Sequence, residues 1–142
     1  RHIISEDIIL LMNNKIINLH ISLLPYNRGA DPNFWSFLEN SPKGVTIHLI
    51  DNGIDTGDIL VQKQIEIDVN KHTLKTSYDL LNIEIQNLFY NNWAKIKNQK
   101  INSKRQIGDG SFHLKSDKNN YSYLFKKNGW NTKCNKIENN LK

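Results

Sequence analysis

The sequence lacks the features of several large classes of protein. Cys134 is its only cysteine, which excludes an internal disulfide framework and a zinc site built from several thiolates, and favours a reducing, cytoplasmic compartment. The longest apolar run, residues 8–12, is far shorter than the roughly 20 residues that span a bilayer. We therefore expect neither a disulfide-stapled secreted domain nor a membrane protein.

Alanine is also scarce, with only Ala30 and Ala94, whereas 16 of the 19 basic residues are lysine. The formal net charge of +5 would suit a protein that binds nucleic acid. The lysines are scattered along the chain rather than gathered in a stripe, however, and their abundance is typical of a compositional bias. We therefore expect no nucleic-acid partner.

What the sequence does contain is a succession of strand and helix periodicities. Apolar residues at every second position predict strands, and apolar residues three or four apart predict helices. The predicted helices cover residues 5–13, 33–40 and 73–98, and the predicted strands cover residues 16–20, 44–50 and 59–67. This order predicts an α/β domain over residues 1–98, followed by a short polar extension without regular elements over residues 99–142.

Two polar side chains stand at the end of the first predicted strand. Asn18 and His20 are two residues apart, so strand alternation places both side chains on one face, and ligands of open α/β sheets bind beyond the carboxyl ends of strands. There an amide can donate to a developing oxyanion while an imidazole transfers a proton. The alternative is structural, with Asn18 capping the strand and His20 a buried, hydrogen-bonded histidine.

An acidic turn joins the second and third predicted strands. Residues 51–58 hold three carboxylates, but Gly53 and Gln62 stand where a calcium-binding EF-hand loop needs an oxygen ligand and a glutamate, so we predict no metal site. A carboxylate of this turn that lies near an imidazole would orient the ring and raise its basicity. The alternative is an ordinary acidic turn.

Four motifs occur in an order and at a spacing that resemble the folate-dependent formyltransferases. They are residues 17–25, which contain Asn18-x-His20 and Ser22-Leu23-Leu24-Pro25, then Asn27-Arg28-Gly29-Ala30, Gly44-Val45-Thr46-Ile47-His48 and Asp55-Thr56-Gly57-Asp58. Residues 28–37, 110–118 and 129–132 are similar to the branch that acts on nucleotide-linked amino sugars, although Asn131 stands where that branch usually has aspartate. The resemblance implies the C-terminal part of a Rossmann-like fold, a mixed sheet flanked by helices whose first half lies upstream of this sequence.

The resemblance also implies a role for each motif residue. Asn18 holds the formyl oxygen, His20 takes or relays the proton of the attacking amine, and Asp55 pairs with His20. The resemblance implies 10-formyltetrahydrofolate as the cosubstrate, with His2, Ile3, Ile4, Asp51, Gly53 and Asp58 expected to bind it. It implies a nucleotide-linked amino sugar as the substrate, with Arg28, Asp31, His113 and Lys115 expected to contact it.

Several alternatives accompany these assignments. Arg28 can fix its own loop instead of touching substrate, and His48 is predicted to be a strand residue bonded to backbone. A cis bond before Pro25 is expected by analogy with the family. The leading function is sugar N-formylation for a surface polysaccharide, with a possible homodimer. The alternatives are a methionyl-tRNA formyltransferase-like enzyme and an inactive fragment or binding remnant.

Overall fold

The computed structural model describes residues 4–13, 15–138 and 140, and it has the predicted mixed α/β architecture. In chain order the elements are α1 (Glu6–Leu11), β1 (Ile17–His20), β2 (Arg28–Gly29), α2 (Pro32–Leu38), β3 (Gly44–Leu49), β4 (Ile59–Gln64), α3 (Leu74–Lys97) and β5 (Phe112–His113). Three short 3-10 helices follow, at Asp117–Leu124, Gly129–Asn131 and Cys134–Lys136. No helix in the described part of the chain is long and apolar enough to cross a membrane.

The main sheet has three antiparallel strands in the order β1-β3-β4. The register of β1 against β3 pairs Asn18 with His48 and His20 with Thr46. Because partners on neighbouring strands project to the same side of a sheet, this register brings Asn18 and His48 together. The polar residues at the end of β1 therefore face a polar residue of β3.

Helix α3 covers one face of this sheet. It begins with a capping box, in which Thr73 and Thr76 each accept from the other's backbone N–H. Leu81 and Ile85 of the helix are buried in one core cluster with Val45 and Ile47 of β3. A second cluster joins α2 to the first turn of α3 and to the C-terminal 3-10 helix; its members are Phe34, Trp35, Phe37, Leu38, Leu74, Cys134 and Ile137.

The polar extension contains more regular structure than its sequence predicts. Strand β5 pairs in parallel with β2, a contact between residues more than eighty positions apart that periodicity cannot reveal. Gly29 permits the pairing, since it has a φ of +88° and a Cβ there would lie 2.3 Å from the His113 carbonyl oxygen. Elsewhere β4 ends at Gln64 rather than at residue 67, and the bond between Leu24 and Pro25 is cis as expected.

Candidate active site

The candidate active site begins with the cross-strand pair of β1 and β3. The Asn18 Nδ2 atom donates to the His48 Nε2 atom over 3.2 Å. His20 lies two residues along β1, and its ring centroid is 6.2 Å from that of His48. Both histidines are buried, at 5% and 1% exposed, so their polar atoms depend on protein partners.

Asp55, on the turn between β3 and β4, lies between the two imidazoles. Its Oδ1 atom accepts from Asn18 Nδ2 over 3.0 Å and lies 3.5 Å from His48 Nε2. Its Oδ2 atom accepts the Gly29 backbone N–H over 2.9 Å and lies 3.6 Å from His20 Nδ1. Burial alone would raise the pKa of Asp55, but the neighbouring imidazoles of His48 and His20 and the Gly29 N–H together lower it to about 2. The carboxylate is therefore ionised at neutral pH.

These distances fix which atoms carry protons. A carboxylate only accepts hydrogen bonds, so the Asn18 atom that faces Asp55 is the amide nitrogen. His48 Nδ1 lies 2.7 Å from the Leu49 carbonyl oxygen and carries a proton, which leaves Nε2 to accept from Asn18. His20 Nε2 lies 3.1 Å from the Asn27 carbonyl oxygen, so that nitrogen carries a proton as well.

A second set of hydrogen bonds holds the turn that carries Asp55. Arg28 donates through Nε and Nη2 to the Gln106 Oε1 atom, over 3.0 and 2.8 Å. Gln106 Nε2 in turn donates to the carbonyl oxygens of Asp55 and Gly57, over 2.9 and 2.8 Å. Every polar atom of the Gln106 amide is used, so the segment after α3 fixes a turn in which Asp55 has a left-handed φ of 54°.

The segment around β5 also reaches the loop behind His20. The Glu39 carboxylate accepts from Asn27 Nδ2 and from Ser111 Oγ, each over 2.8 Å. Its other oxygen lies 2.6 Å from His113 Nε2, and the His113 ring stacks on that of Trp35 at a centroid distance of 3.7 Å. Asn27 is fully buried, so this network sets the position of the carbonyl oxygen that His20 contacts.

Asn18, His20, His48 and Asp55 open onto one cavity of about 1150 Å³. The predicted site residues that line it are Ile4, Asn18, His20, Asp31, Asp51, Gly53, Asp55, His113 and Lys115. His48, Lys75, Tyr78 and Trp130 line it as well. Among the described residues, no group of three or more histidine, cysteine or acidic side chains is arranged to hold a metal ion.

Two other predicted contacts, Arg28 and Asp58, do not line this cavity. The Arg28 guanidinium binds Gln106, which matches its alternative assignment of fixing its own loop. The Asp58 carboxylate accepts from the Ser103 hydroxyl over 3.1 Å. His2 and Ile3 fall outside the described residues.

Sequence reasoning missed His48 and Gln106. His48 does bond to backbone as predicted, but it also contacts the site through its other ring nitrogen. Its position opposite Asn18 follows from strand pairing, which a single sequence does not specify. Gln106 lies in a polar stretch without periodicity, and nothing in the sequence indicated its contacts.

Comparison with known proteins identifies the family. A family model described as formyl transferase matches residues 1–90. The chain belongs to the formyl transferase family. Its matched segment includes the formyltransferase motifs at Asn18, His20 and Asp55.

Solved formyltransferases resemble the whole fold. The formyltransferase PseJ from Anoxybacillus kamchatkensis, in complex with UDP-4,6-dideoxy-4-formamido-L-AltNAc and tetrahydrofolate, is 48% identical; the match covers 98% of this chain and 72% of that chain, with a TM-score of 0.93. The N-formyltransferase from Helicobacter canadensis, in complex with folinic acid and dTDP-3-aminofucose, is 33% identical; the match covers 73% of this chain and 39% of that chain, with a TM-score of 0.69.

Curated relatives include enzymes with a different acceptor. The methionyl-tRNA formyltransferase of Thermodesulfovibrio yellowstonii is 34% identical over 140 residues, which cover 96% of this chain and 43% of that protein. The chain thus spans less than half the length of the curated relatives it matches.

Proposed function

We propose that the protein transfers a formyl group from 10-formyltetrahydrofolate to the amine of a nucleotide-linked amino sugar. The observation that carries this proposal is the likeness to PseJ, which extends over 98% of this chain. That match therefore includes most of the segment after α3, where Gln106, Ser111 and His113 contact the candidate site. The methionyl-tRNA formyltransferase relative covers a similar share of this chain, but its identity is 34% against 48% for PseJ.

The cavity fits a folate cosubstrate. Ile4, Ile50 and Ile54 supply apolar lining suited to a flat pterin ring, and Asp51 and Gly53 line the same region of the chain. Flat aromatic ligands are held by apolar walls with a few polar groups that fix their orientation. Bound there, 10-formyltetrahydrofolate supplies the activated formyl carbon.

Asn18 has the chemistry of an oxyanion donor. As the amine nitrogen bonds to the formyl carbon, negative charge develops on the formyl oxygen, and a positioned amide N–H stabilises that charge. Both hydrogens of the Asn18 amide nitrogen are directed to protein atoms, Asp55 at 3.0 Å and His48 at 3.2 Å. We infer that the longer bond, to His48, is the one exchanged for the formyl oxygen.

His20 and Asp55 handle the proton. The amine loses one proton as its new bond forms, and the folate nitrogen gains one as its bond to the formyl carbon breaks. His20 Nδ1, 3.6 Å from Asp55, can accept the proton directly or through water. The resulting imidazolium has an acceptor opposite each nitrogen, Asp55 and the Asn27 carbonyl oxygen, so the site stabilises the charge it creates.

The domain organisation, the cellular compartment, the pathway and the assembly of the protein are part of the same proposal. We assign residues 1–98 to the catalytic domain and residues 99–142 to an extension that completes the site. We place the reaction in the cytoplasm, on the way to a formylated surface polysaccharide, in a homodimer. Lys115 and His113, which line the cavity, are assigned to the sugar nucleotide.

The test is formyl transfer by the complete purified protein. It is incubated with 10-formyltetrahydrofolate and a UDP- or dTDP-linked amino sugar, and the formamido product is followed by mass spectrometry. His20→Asn is expected to lower turnover by about 10²–10⁴-fold, since a positioned general base contributes that much. Asn18→Ala is expected to lower it by about 10²–10³-fold.

A matched control is His72→Asn, because His72 lies outside the cavity and bonds to Thr76 at the start of α3. That variant should retain wild-type turnover. Initiator methionyl-tRNA is assayed as the competing acceptor, since the curated relatives favour it. Formylation of the tRNA alone contradicts the proposed substrate, and a folded protein that formylates neither acceptor is an inactive remnant.

A further inference from the structure

Two aromatic side chains stand exposed at the edge of the cavity. Trp130 is 50% exposed and Tyr78 is 40% exposed, and both line the cavity that holds the candidate catalytic groups. Their rings meet edge to face, with centroids 5.5 Å apart. Inside a cavity, an exposed pair of aromatic rings offers a flat apolar surface on which a planar ligand can stack.

Trp130 has contacts with neighbouring side chains although it is half exposed. The Lys118 ammonium lies 5.0 Å from the centroid of its ring and 5.3 Å from that of Phe34. The same ammonium pairs with Asp31 over 3.0 Å. This cation–π contact holds the indole in place before any ligand arrives, which lowers the entropy lost when a ring stacks on it.

The neighbouring polar groups suit a nucleotide. One turn along α3 from Tyr78, Asn82 also lines the cavity; its Nδ2 donates to the Tyr78 carbonyl oxygen over 2.8 Å, which leaves Oδ1 as an acceptor. Lys115 lines the cavity without an ion-pair partner among the described residues. The aromatic rings suit the flat face of a pyrimidine base, and the amide oxygen suits a donor on the edge of that base. The ammonium group of Lys115, which no carboxylate neutralises among the described residues, suits the diphosphate.

We propose that Trp130, with Tyr78 packed against it, forms the stacking platform for the nucleobase of the substrate, with Asn82 on the base edge and Lys115 on the diphosphate. This rests on the proposed function, because it identifies which part of that cavity receives the nucleotide. Stacking recognises the flat face of the base and tolerates different pyrimidines. The amino sugar then lies between this platform and His20.

The experiment measures binding of UDP and of pyrophosphate to the complete protein by isothermal titration calorimetry. Trp130→Ala is expected to weaken UDP binding by roughly 5- to 150-fold, the usual effect of removing one base-stacking aromatic ring. Pyrophosphate has no base, so its affinity should not change. Trp130→Phe keeps a ring and should retain most of the UDP affinity.

Trp93→Ala is the matched control, since Trp93 is 43% exposed on the same helix as Tyr78 and does not line the cavity. It should bind UDP as the wild type does. Unchanged UDP binding by Trp130→Ala, an equal loss in Trp93→Ala, or equal wild-type affinity for UDP and pyrophosphate overturns the platform. Formyl transfer is measured on the same samples, so loss of the proposed activity with retained, Trp130-dependent UDP binding refutes only the proposed function.

Discussion

Replacing Asp55 by asparagine tests whether one carboxylate holds the site together. The pKa of Asp55 is about 2 in the folded chain, against an ordinary value of 3.8. Because folding lowers this pKa, ionised Asp55 favours the folded state above about pH 4, and that contribution is lost as the pH falls toward 2. At about 1.4 kcal/mol for each pH unit between the two values, the contribution is about 2 kcal/mol. The side chain is only 12% exposed, so solvent does little to screen the interactions of its charge with the neighbouring groups.

The assay is urea unfolding followed by tryptophan fluorescence, at three pH values from about 4 to about 2.5. At about pH 4 the ionisation of Asp55 should contribute about 2 kcal/mol to the free energy of unfolding of the wild type. Near pH 2.5 this contribution should fall to about 1 kcal/mol, because the carboxyl group is then partly protonated in the folded state as well. The difference in unfolding free energy between wild type and Asp55→Asn should therefore shrink by about 1 kcal/mol between about pH 4 and about pH 2.5.

A control separates this effect from general acid destabilisation. Asp109 is exposed, and Asp109→Asn should follow the pH dependence of the wild type. A difference between wild type and Asp55→Asn that stays constant or widens over the same interval would refute the reasoning. It would mean that the contacts with Gly29 and the two histidines do not favour the ionised form.

Three further substitutions test the surroundings of this carboxylate. His48→Gln should lower kcat more than it raises KM, since it changes the partner of the oxyanion donor rather than a substrate contact; equal changes in both would contradict this. Gln106→Ala should lower kcat by about tenfold or more while the folate affinity is kept, because the turn that carries Asp55 loses two hydrogen bonds; titration of folate by fluorescence checks the affinity. Gly57→Ala should cost about 1–3 kcal/mol of stability in urea unfolding, because its Cβ would lie 1.9 Å from a backbone oxygen, and a wild-type midpoint would contradict that geometry.

The sequence predicted those parts of the fold that depend on local pattern. The alternation in residues 44–50 corresponds to β3, and the spacing of Leu74, Leu81 and Ile85 corresponds to α3. Each element buries one face along its whole length, so the apolar residues recur with the period of that element. The alternation along β1 likewise placed Asn18 and His20 on one side, where both reach Asp55. These features depend on residues that are close together in the sequence or belong to one motif, so they can be predicted from the sequence.

The rest of the site depends on contacts between distant segments. Gln106 bonds to Asp55, 51 positions away, and Ser111 bonds to Glu39, 72 positions away. No periodicity precedes either residue, since each contributes one polar group to an irregular segment whose path is set by the pairing of β5 with β2. Contacts of this kind can be identified only from the folded structure.

The division of roles between the two histidines follows from the single carboxylate they share. One negative charge stabilises one imidazolium well, and the rings of His20 and His48 lie only 6.2 Å apart, so a second cation would be repelled. His48 has a proton on Nδ1 and accepts from Asn18 at Nε2; protonating Nε2 would break that bond. His20 has an acceptor opposite each nitrogen, so a second proton on that ring adds an interaction instead of removing one. In the proposed mechanism the transferred proton therefore goes to His20, while His48 accepts one Asn18 N–H until the formyl oxygen takes its place.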